Sequence, residues 1–203
     1  MHICHPMRRL TKQFQHYLKL TFVACIIKGH YPEINLMKYF FATIIPVLFI
    51  SIVAHGQDIK FLNKYDSITT TSQLFTQLKG KTIFLDLWAP WCEPCKDEFK
   101  YSDTLYQELK KRNVVMLYVS LNSRVVPSEW KADIDHYKLK GWHVLANKEL
   151  ENSLTTLIWG HPGGFSIPRY LLIDREGKIL LNDALPPDHG QQLYEQIDKV
   201  LQQ

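Results

Sequence analysis

Two cysteines separated by two residues are the side chains in this sequence with the clearest chemistry. Cys92 and Cys95 follow the apolar run 81–88 and precede a helical pattern that begins at Pro94. A cysteine at a helix start meets unpaired N–H groups and the positive end of the helix dipole, which stabilise a thiolate. Proline suits the first helical turn because its missing N–H would have had no partner there. The spacing predicts a redox pair in which a partly exposed Cys92 attacks and a more buried Cys95 resolves.

Half of a zinc site is the alternative interpretation of such a pair. A structural zinc site usually needs a second cysteine pair or two histidines three to five residues apart. The body of the chain has neither, because its histidines are scattered at positions 136, 143, 161 and 189. We therefore predict a redox pair with no metal and no cofactor.

The N-terminal segment differs in composition from the rest of the chain. Residues 1–56 carry a net charge of +5, whereas residues 57–203 carry −1. The body therefore has no cationic excess that would indicate nucleic-acid binding. Cys4 and Cys25 also lie in the leading segment, which leaves Cys92 and Cys95 as the only pair in the body. One close pair is more typical of chemistry than of a disulfide-stapled scaffold.

Residues 37–56 resemble a targeting segment. Lys38 is followed by an uncharged apolar run that ends at Ala54, with Gly56 before a predicted cleavage site. A retained membrane anchor is the alternative, although about 16 apolar residues are short for a ~30 Å bilayer core. Residues 1–36 fit neither pattern, and we interpret them as an upstream extension before a translation start at Met37. Residues 57–203 then form the folded domain.

Apolar periodicity predicts the elements of one α/β domain. Near-continuous apolar runs predict buried strands, and amphipathic spacing predicts helices. Helices are predicted at 72–79, 94–111, 128–140, 150–158 and 193–201, with Ser128 as a plausible cap for the third. Strands are predicted at 81–88, 113–120, 142–145, 168–174 and 178–181. This order predicts a mixed central sheet covered by helices on both faces, beginning with a right-handed parallel crossover.

Two segments of the chain resemble the thioredoxin superfamily, and within it the exported TlpA/ResA-type branch. They run from Ile83 to Phe99, which includes the Trp-Cys-Glu-Pro-Cys motif, and from Ile167 to Lys178. The resemblance implies a thioredoxin-like fold for most of 81–203, with an insertion at 123–164 before the strand that carries the family's cis-proline.

The resemblance also implies a surface that binds the partner. Pro168 matches the cis-proline that faces the disulfide, and Ile167 would offer backbone hydrogen bonds to a substrate strand; an ordinary trans-proline is the alternative. Trp91, before the first cysteine, is a further substrate-binding candidate. Arg169 departs from the small or hydroxyl residue often found after the cis-proline, and is expected to alter the partner surface. His161 lies in the preceding loop and is expected to be exposed.

Two acidic residues complete the implied catalytic set. Asp86, six residues before Cys92, matches the buried acid that helps to deprotonate the resolving thiol. Many exported relatives carry a neutral residue there, and a surface-turned edge position is the alternative. Glu98, three residues after Cys95, matches an acidic residue near the active site of the branch, or else is a solvated helix carboxylate.

These features together predict a protein-disulfide reductase in the periplasm or cell envelope. Glu93 between the cysteines, with no histidine there, favours reduction over oxidation. The resemblance implies disulfide-bearing envelope proteins as substrates, among them apocytochrome c, and a membrane electron donor. It implies membrane contact only through an uncleaved leader. A peroxide-reducing enzyme of the same fold and a binding or scaffold module are the alternatives.

Overall fold

A computed structural model describes residues 58–121 and 126–202 of the chain. These residues belong to the second of the two units into which the chain divides, Gln57–Gln203. The predicted upstream extension, the predicted signal or anchor at 37–56, and Cys4 and Cys25 all lie outside the described residues. None of the helices in the described ranges is long and apolar enough to cross a membrane.

The described part follows the predicted order of strands and helices, with one additional strand at its start. Its strands are β1 Ile59–Phe61, β2 Thr82–Trp88, β3 Val114–Leu121, β4 Gly141–Ala146, β5 Arg169–Ile173 and β6 Ile179–Leu181. Its helices are α1 Thr71–Thr76, α2 Glu93–Glu98, α3 Ser102–Lys111, α4 Pro127–His136, α5 Lys148–Trp159 and α6 Gln191–Leu201. Single 3₁₀ turns lie at Tyr65–Ser67, Phe99–Tyr101 and Pro187–His189.

One six-stranded mixed sheet organises the domain. The strand order is β1-β4-β3-β2-β5-β6. Strands β1, β4, β3 and β2 are parallel, β5 is antiparallel to β2, and β6 is antiparallel to β5. All seven residues of β2 are buried, as its near-continuous apolar sequence predicts for a strand covered on both faces. The cysteine pair directly follows this central strand.

Helices cover both faces of the sheet. On one face, Trp88 of β2 packs edge-on against Phe99 after α2, with ring centroids 5.1 Å apart. On the other face, Ile83 lines a cavity of about 420 Å³ together with Phe75 of α1 and Leu157 of α5. Because side chains alternate along a strand, Asp86 shares the face of Trp88. The predicted α/β class and thioredoxin-like arrangement are confirmed.

Two local predictions need correction, and one strand was not predicted. The helix predicted at 94–111 is divided into α2 and α3 by the 3₁₀ turn at Phe99–Tyr101. Ser128 does not cap α4, because that helix begins at Pro127 with Val126 before it. Strand β1 was not predicted, since its three residues are too few for a visible alternation.

The segment 123–164, predicted as an insertion, contributes α4, β4 and α5, and β4 lies inside the sheet between β1 and β3. Helix α5 begins where the Asn147 side chain accepts a hydrogen bond from the Leu150 N–H at 2.9 Å. It ends at Gly160, whose φ of 81° is the left-handed conformation common at helix ends. The chain then enters the loop that leads to Pro168.

Candidate active site

Cys92 and Cys95 form a disulfide at the start of α2. The sulfur atoms are 2.05 Å apart and the Cα atoms 5.3 Å apart. Cys92 is the N-cap residue, and its sulfur accepts a hydrogen bond from the Cys95 backbone N–H at 3.2 Å. An N–H donor aimed at this sulfur would also stabilise a thiolate after reduction.

Both cysteines are buried in this oxidised form. Cys92 is 4% exposed and Cys95 is 1% exposed. The expectation of a partly exposed Cys92 is therefore wrong for the disulfide, in which its sulfur is partly covered by the bonded sulfur of Cys95. Cys92 is still the more exposed of the two cysteines, as predicted.

The charges flanking the pair lie at its solvent side. Glu93 is mostly exposed and forms an ion pair with Lys96, with Nζ and Oε1 3.1 Å apart. The pair holds one negative and one positive charge within the same helical turn. The negative charge of Glu93 is thus partly compensated beside the cysteines, which weakens its expected effect on the poise of the disulfide.

An aromatic pair lies beside the disulfide on the surface. Trp91 is 44% exposed, and its ring centroid is 6.1 Å from that of Phe165, with the planes at 35°. The Ile167–Pro168 peptide bond is cis, as the resemblance implied. Within the described residues, the backbone N–H and C=O of Ile167 make no hydrogen bond. Sequence reasoning missed Phe165, because nothing in its local pattern connects it to Trp91.

Arg169 and His161 are the two remaining residues near the cis-proline that the sequence singled out. Arg169 is held inside the domain, because its guanidinium bonds to the Asn182 carbonyl at 2.8 Å and to Asp183 at 3.0 Å. It also stacks over Trp159 at 5.7 Å. These contacts hold Arg169 against the residues that follow β6 and against the end of α5, and its effect on a partner surface stays a prediction. His161 is exposed, as expected.

Asp86 lies in the centre of the sheet. It is 2% exposed on β2, between β3 and β5, which excludes the alternative of a surface-turned edge position. Its Oδ1 atom has no hydrogen-bond partner among the described residues. Burial, together with the nearby negative charge of Glu98, raises the pKa of Asp86 well above its usual value. A carboxyl group in this position favours its protonated form more than an exposed aspartate does.

Glu98 lies half-buried at the end of α2. Its Oε2 atom accepts a hydrogen bond from the Asp188 backbone N–H at 3.0 Å. Burial raises the pKa of Glu98, although the hydrogen bond from Asp188 opposes part of this effect. Glu98 is therefore not a fully solvated helix carboxylate. The charge of Glu98 acts on the buried carboxyl group of Asp86.

A row of polar side chains crosses the sheet at the level of Asp86. Strand register pairs Asp86 with Tyr170 on β5 and with Tyr118 on β3, and pairs Tyr118 with His143 on β4. All four are buried. Burial raises the pKa of both tyrosines, and the charge of Asp86 adds to the effect. Sequence reasoning did not identify the other three members of the row, which become neighbours only through strand pairing.

The arrangement places a nearly buried disulfide at the start of α2, directly after the strand that carries a buried carboxyl group. Such a group can take a proton from a thiol that is shielded from water. The cavity of about 420 Å³ on the other face includes neither cysteine in its lining. In the described ranges, no three His, Cys, Asp or Glu side chains lie together as a metal-binding group. The site therefore resembles a reactive surface more than a small-molecule pocket.

Comparison with curated proteins finds relatives of one kind. The chain is 31% identical over 125 residues to thiol-disulfide oxidoreductase ResA of Bacillus cereus (strain ZK / E33L). The match covers 62% of this chain and 64% of that relative. ResA of Bacillus subtilis (strain 168) is 44% identical over 46 residues, which cover 23% of this chain and 26% of that protein. The chain thus spans less than two thirds of the length of these relatives.

Similar solved structures include the thioredoxin domain of a thiol-disulfide oxidoreductase from Bacteroides vulgatus. That domain has a TM-score of 0.49 and 27% identity, over 61% of this chain and 81% of that chain. A thiol:disulfide interchange protein from a Bacteroides species has a TM-score of 0.48 and 27% identity, over 61% of this chain and 75% of that chain.

The family model that matches the chain covers more than half of it. The match spans residues 56–181 and includes the cysteine pair, Asp86, Glu98 and the cis-proline. The resemblance inferred from the two sequence segments is confirmed. This chain belongs to the AhpC/TSA family, within the thioredoxin superfamily.

Proposed function

We propose that this chain is a thiol–disulfide oxidoreductase that reduces disulfides in proteins outside the cytoplasm. The observation that carries the proposal is the Cys92–Cys95 disulfide at the start of α2, directly after the central strand. Two cysteines that can both exist as a disulfide and be opened at a helix start have the chemistry of a redox pair.

The reaction begins with the reduced form of the pair. The Cys92 thiolate attacks one sulfur of the target disulfide, and the other sulfur leaves as a thiolate. A mixed disulfide between Cys92 and the target results. The Cys95 thiol then loses its proton and attacks Cys92, which releases the target's second thiolate and restores the Cys92–Cys95 disulfide.

Asp86 is the proposed acceptor of the Cys95 proton. Cys95 is almost fully buried, so water has little access to its thiol. A carboxyl group whose pKa is raised by burial is better matched to a thiol proton than an ordinary carboxylate is. Glu98, three residues after Cys95, supports this role because its charge acts on Asp86.

The surface beside the disulfide supports binding of an extended segment of the target. The backbone N–H and C=O of Ile167 make no hydrogen bond to other described residues, so both can pair with a strand of the substrate. Trp91 and Phe165 provide apolar area on the same side. Pro168 lies between Ile167 and Arg169, the first residue of β5.

The proposal also covers the direction of the redox reaction, the compartment in which it occurs and the substrate proteins. Glu93 and the absence of a histidine between the cysteines favour reduction, with Lys96 moderating the effect. The leader at 37–56 supports export to the periplasm or cell envelope, either cleaved or as an anchor. The substrates are then disulfide-bearing envelope proteins, apocytochrome c among them, and a membrane donor returns electrons to the pair.

Catalysed reduction of insulin disulfides tests the activity. The purified chain with dithiothreitol should accelerate insulin precipitation, whereas Cys92→Ala should return the rate to the dithiothreitol background. An equal rate for both proteins would contradict the proposal. Equilibration with glutathione tests the direction, and a potential as high as those of the strong thiol oxidants would reverse it.

Two measurements separate the alternatives. Consumption of hydrogen peroxide at a rate that exceeds insulin reduction would favour a peroxide-reducing enzyme. Retained binding of an envelope partner by the Cys92→Ala/Cys95→Ala double variant, without any insulin reduction by the parent chain, would favour a binding module.

A further inference from the structure

Two buried polar atoms on neighbouring strands lack hydrogen-bond partners close to the proposed active site. They are the Oδ1 atom of Asp86 and the hydroxyl oxygen of Tyr170, among the residues that the structure describes. Buried polar groups are nearly always bonded, to protein or to ordered water. Trp88 Nε1 and Ser120 Oγ are also buried without a partner in the described ranges. Asp86 and Tyr170 differ from them because both are titratable, so ordered water between them could carry a proton.

Strand register brings these two side chains together. Asp86 on β2 is paired with Tyr170 on β5, so both point to the same face of the sheet. Directly opposed residues on antiparallel strands have Cβ atoms about 5 Å apart. The Tyr170 ring stacks on Phe84, with centroids 5.9 Å apart and planes at 22°. This packing fixes the direction of the phenol.

Glu98 lies on the same side of this pair. Its charge raises the pKa of both Asp86 and Tyr170, after the larger effect of burial. Cys95 and Glu98 are three residues apart and therefore lie on one side of α2. Glu98 is half-buried, whereas Asp86 and Tyr170 are buried. The three groups thus lead from the interior towards the surface.

We propose that the Tyr170 hydroxyl links Asp86 to Glu98 and carries the proton of Cys95 outwards, as a positioning residue of the resolving step. This inference rests on the proposed function. The Cys95 thiol gives its proton to the Asp86 carboxylate. Asp86 passes a proton through one water to the Tyr170 oxygen, while Tyr170 releases its own proton through a second water to the Glu98 carboxylate. Glu98 returns the proton to solvent, so that every group regains its starting state.

Other titratable groups surround this proton route, some of them next to Glu98 and one next to Asp86. Asp188 and His189 on the 3₁₀ turn, and Asp97 on α2, act on Glu98. Tyr118 on β3 faces Asp86 from the opposite side, and no effect of Glu98 on it is resolved. Tyr118 therefore serves as a matched control: it is a buried phenol beside the same carboxyl group but off the route.

The test follows the two thiols of the reduced protein as they react with 5,5′-dithiobis(2-nitrobenzoate). The first phase reports attack by Cys92 and the second reports resolution by Cys95, without any protein substrate. Tyr170→Phe should leave the first phase unchanged and slow the second about tenfold near pH 6. The defect should shrink towards pH 9, where hydroxide can deprotonate Cys95. Tyr118→Phe should change the second phase by less than about twofold.

A double-mutant cycle separates this role from a structural one. If Tyr170 acts through Asp86, the Asp86→Asn/Tyr170→Phe variant should be no slower than Asp86→Asn alone. Additive losses, equal effects of the two tyrosine variants, or a defect that does not depend on pH would overturn the inference.

A measurement on the unaltered protein covers the case in which Tyr170→Phe does not fold. In mixtures of H₂O and D₂O, the second-phase rate should depend on the deuterium fraction along a curve, because several protons move together. A straight line would contradict the relay. Normal thiol phases without insulin reduction would instead contradict the proposed function and leave the relay standing as a property of the site.

Discussion

The buried polar row across the sheet has two halves, whose titratable groups have different surroundings. On the β4 side, His143 stacks on Tyr118 with parallel rings 5.0 Å apart, and its Nε2 atom bonds to the Leu139 carbonyl at 2.9 Å. On the β5 side, the Asp86 Oδ1 atom and the Tyr170 hydroxyl are both buried without a partner in the described ranges, whereas His143 lacks a partner only at Nδ1. Both halves lie at the same depth in one sheet.

Burial shifts the pKa of the titratable groups in both halves, but the groups around them differ. Burial lowers the pKa of His143 to about 4 and raises that of Asp86, so each group favours its neutral form. His143 lies two strands from Asp86, and its ring packing and carbonyl bond are those of a core residue. Asp86 is next to Glu98 and on the strand that leads into the cysteine pair. Burial alone therefore does not identify a catalytic group; its neighbours do.

The largest expected difference is catalytic. Asp86→Asn should slow the Cys95 step on the order of 10³-fold near neutral pH, because the proton acceptor is lost. His143→Gln keeps an N–H donor for the Leu139 carbonyl and should leave this step unchanged within about twofold. Stopped-flow measurement of the second thiol phase compares the two variants. Similar slowing in both would remove the distinction between the two halves.

The next difference is the sign of the pH dependence of stability. His143 has a lowered pKa in the folded protein, so its contribution is present above pH 6.5 and is lost as the pH falls towards 4. The loss is on the order of 3 kcal/mol. The free energy of unfolding should rise more steeply with pH in this window for the parent chain than for His143→Gln.

Asp86 should show the opposite slope. Its folded pKa is raised, so the stability associated with the protonated form is present below the unfolded pKa of about 4 and is lost as the pH rises. Asp86→Asn should therefore gain stability relative to the parent chain as the pH increases above 4. Urea melts at several pH values measure both slopes, and parallel curves for parent and variant would argue against the raised pKa.

The smallest expected effect belongs to Glu98. Glu98→Gln removes the negative charge that acts on Asp86 while leaving an oxygen for the Asp188 N–H. The Cys95 step should slow about fivefold, because the outer proton acceptor is lost. Asp97→Asn is the matched control, since Asp97 is exposed and paired with Lys100 at 2.8 Å. If the two variants behave alike in the stopped-flow assay, Glu98 has no special place in the site.

The sequence was sufficient for the elements and for the cysteine pair. Apolar runs and helical spacing are local patterns, so β2, β3 and α5 could be predicted from their own residues. Asp86 was visible because a carboxyl group interrupts an apolar strand. Tyr170 and His143 were not, because strand register between distant segments is decided by the packing of the whole sheet. The contact of Trp91 with Phe165 was not visible either, because two loops that are distant in sequence meet only in the folded domain.

The most direct test of the account is which cysteine forms a mixed disulfide. Reduced Cys95→Ala and Cys92→Ala variants are treated with oxidised glutathione, and intact-mass measurement with peptide mapping locates the adduct. The account predicts a stable glutathione adduct on Cys92 of the Cys95→Ala variant and little adduct on Cys95 of the Cys92→Ala variant. Equal modification of the two cysteines, or none on Cys92, would contradict the assignment of Cys92 as the attacking thiol.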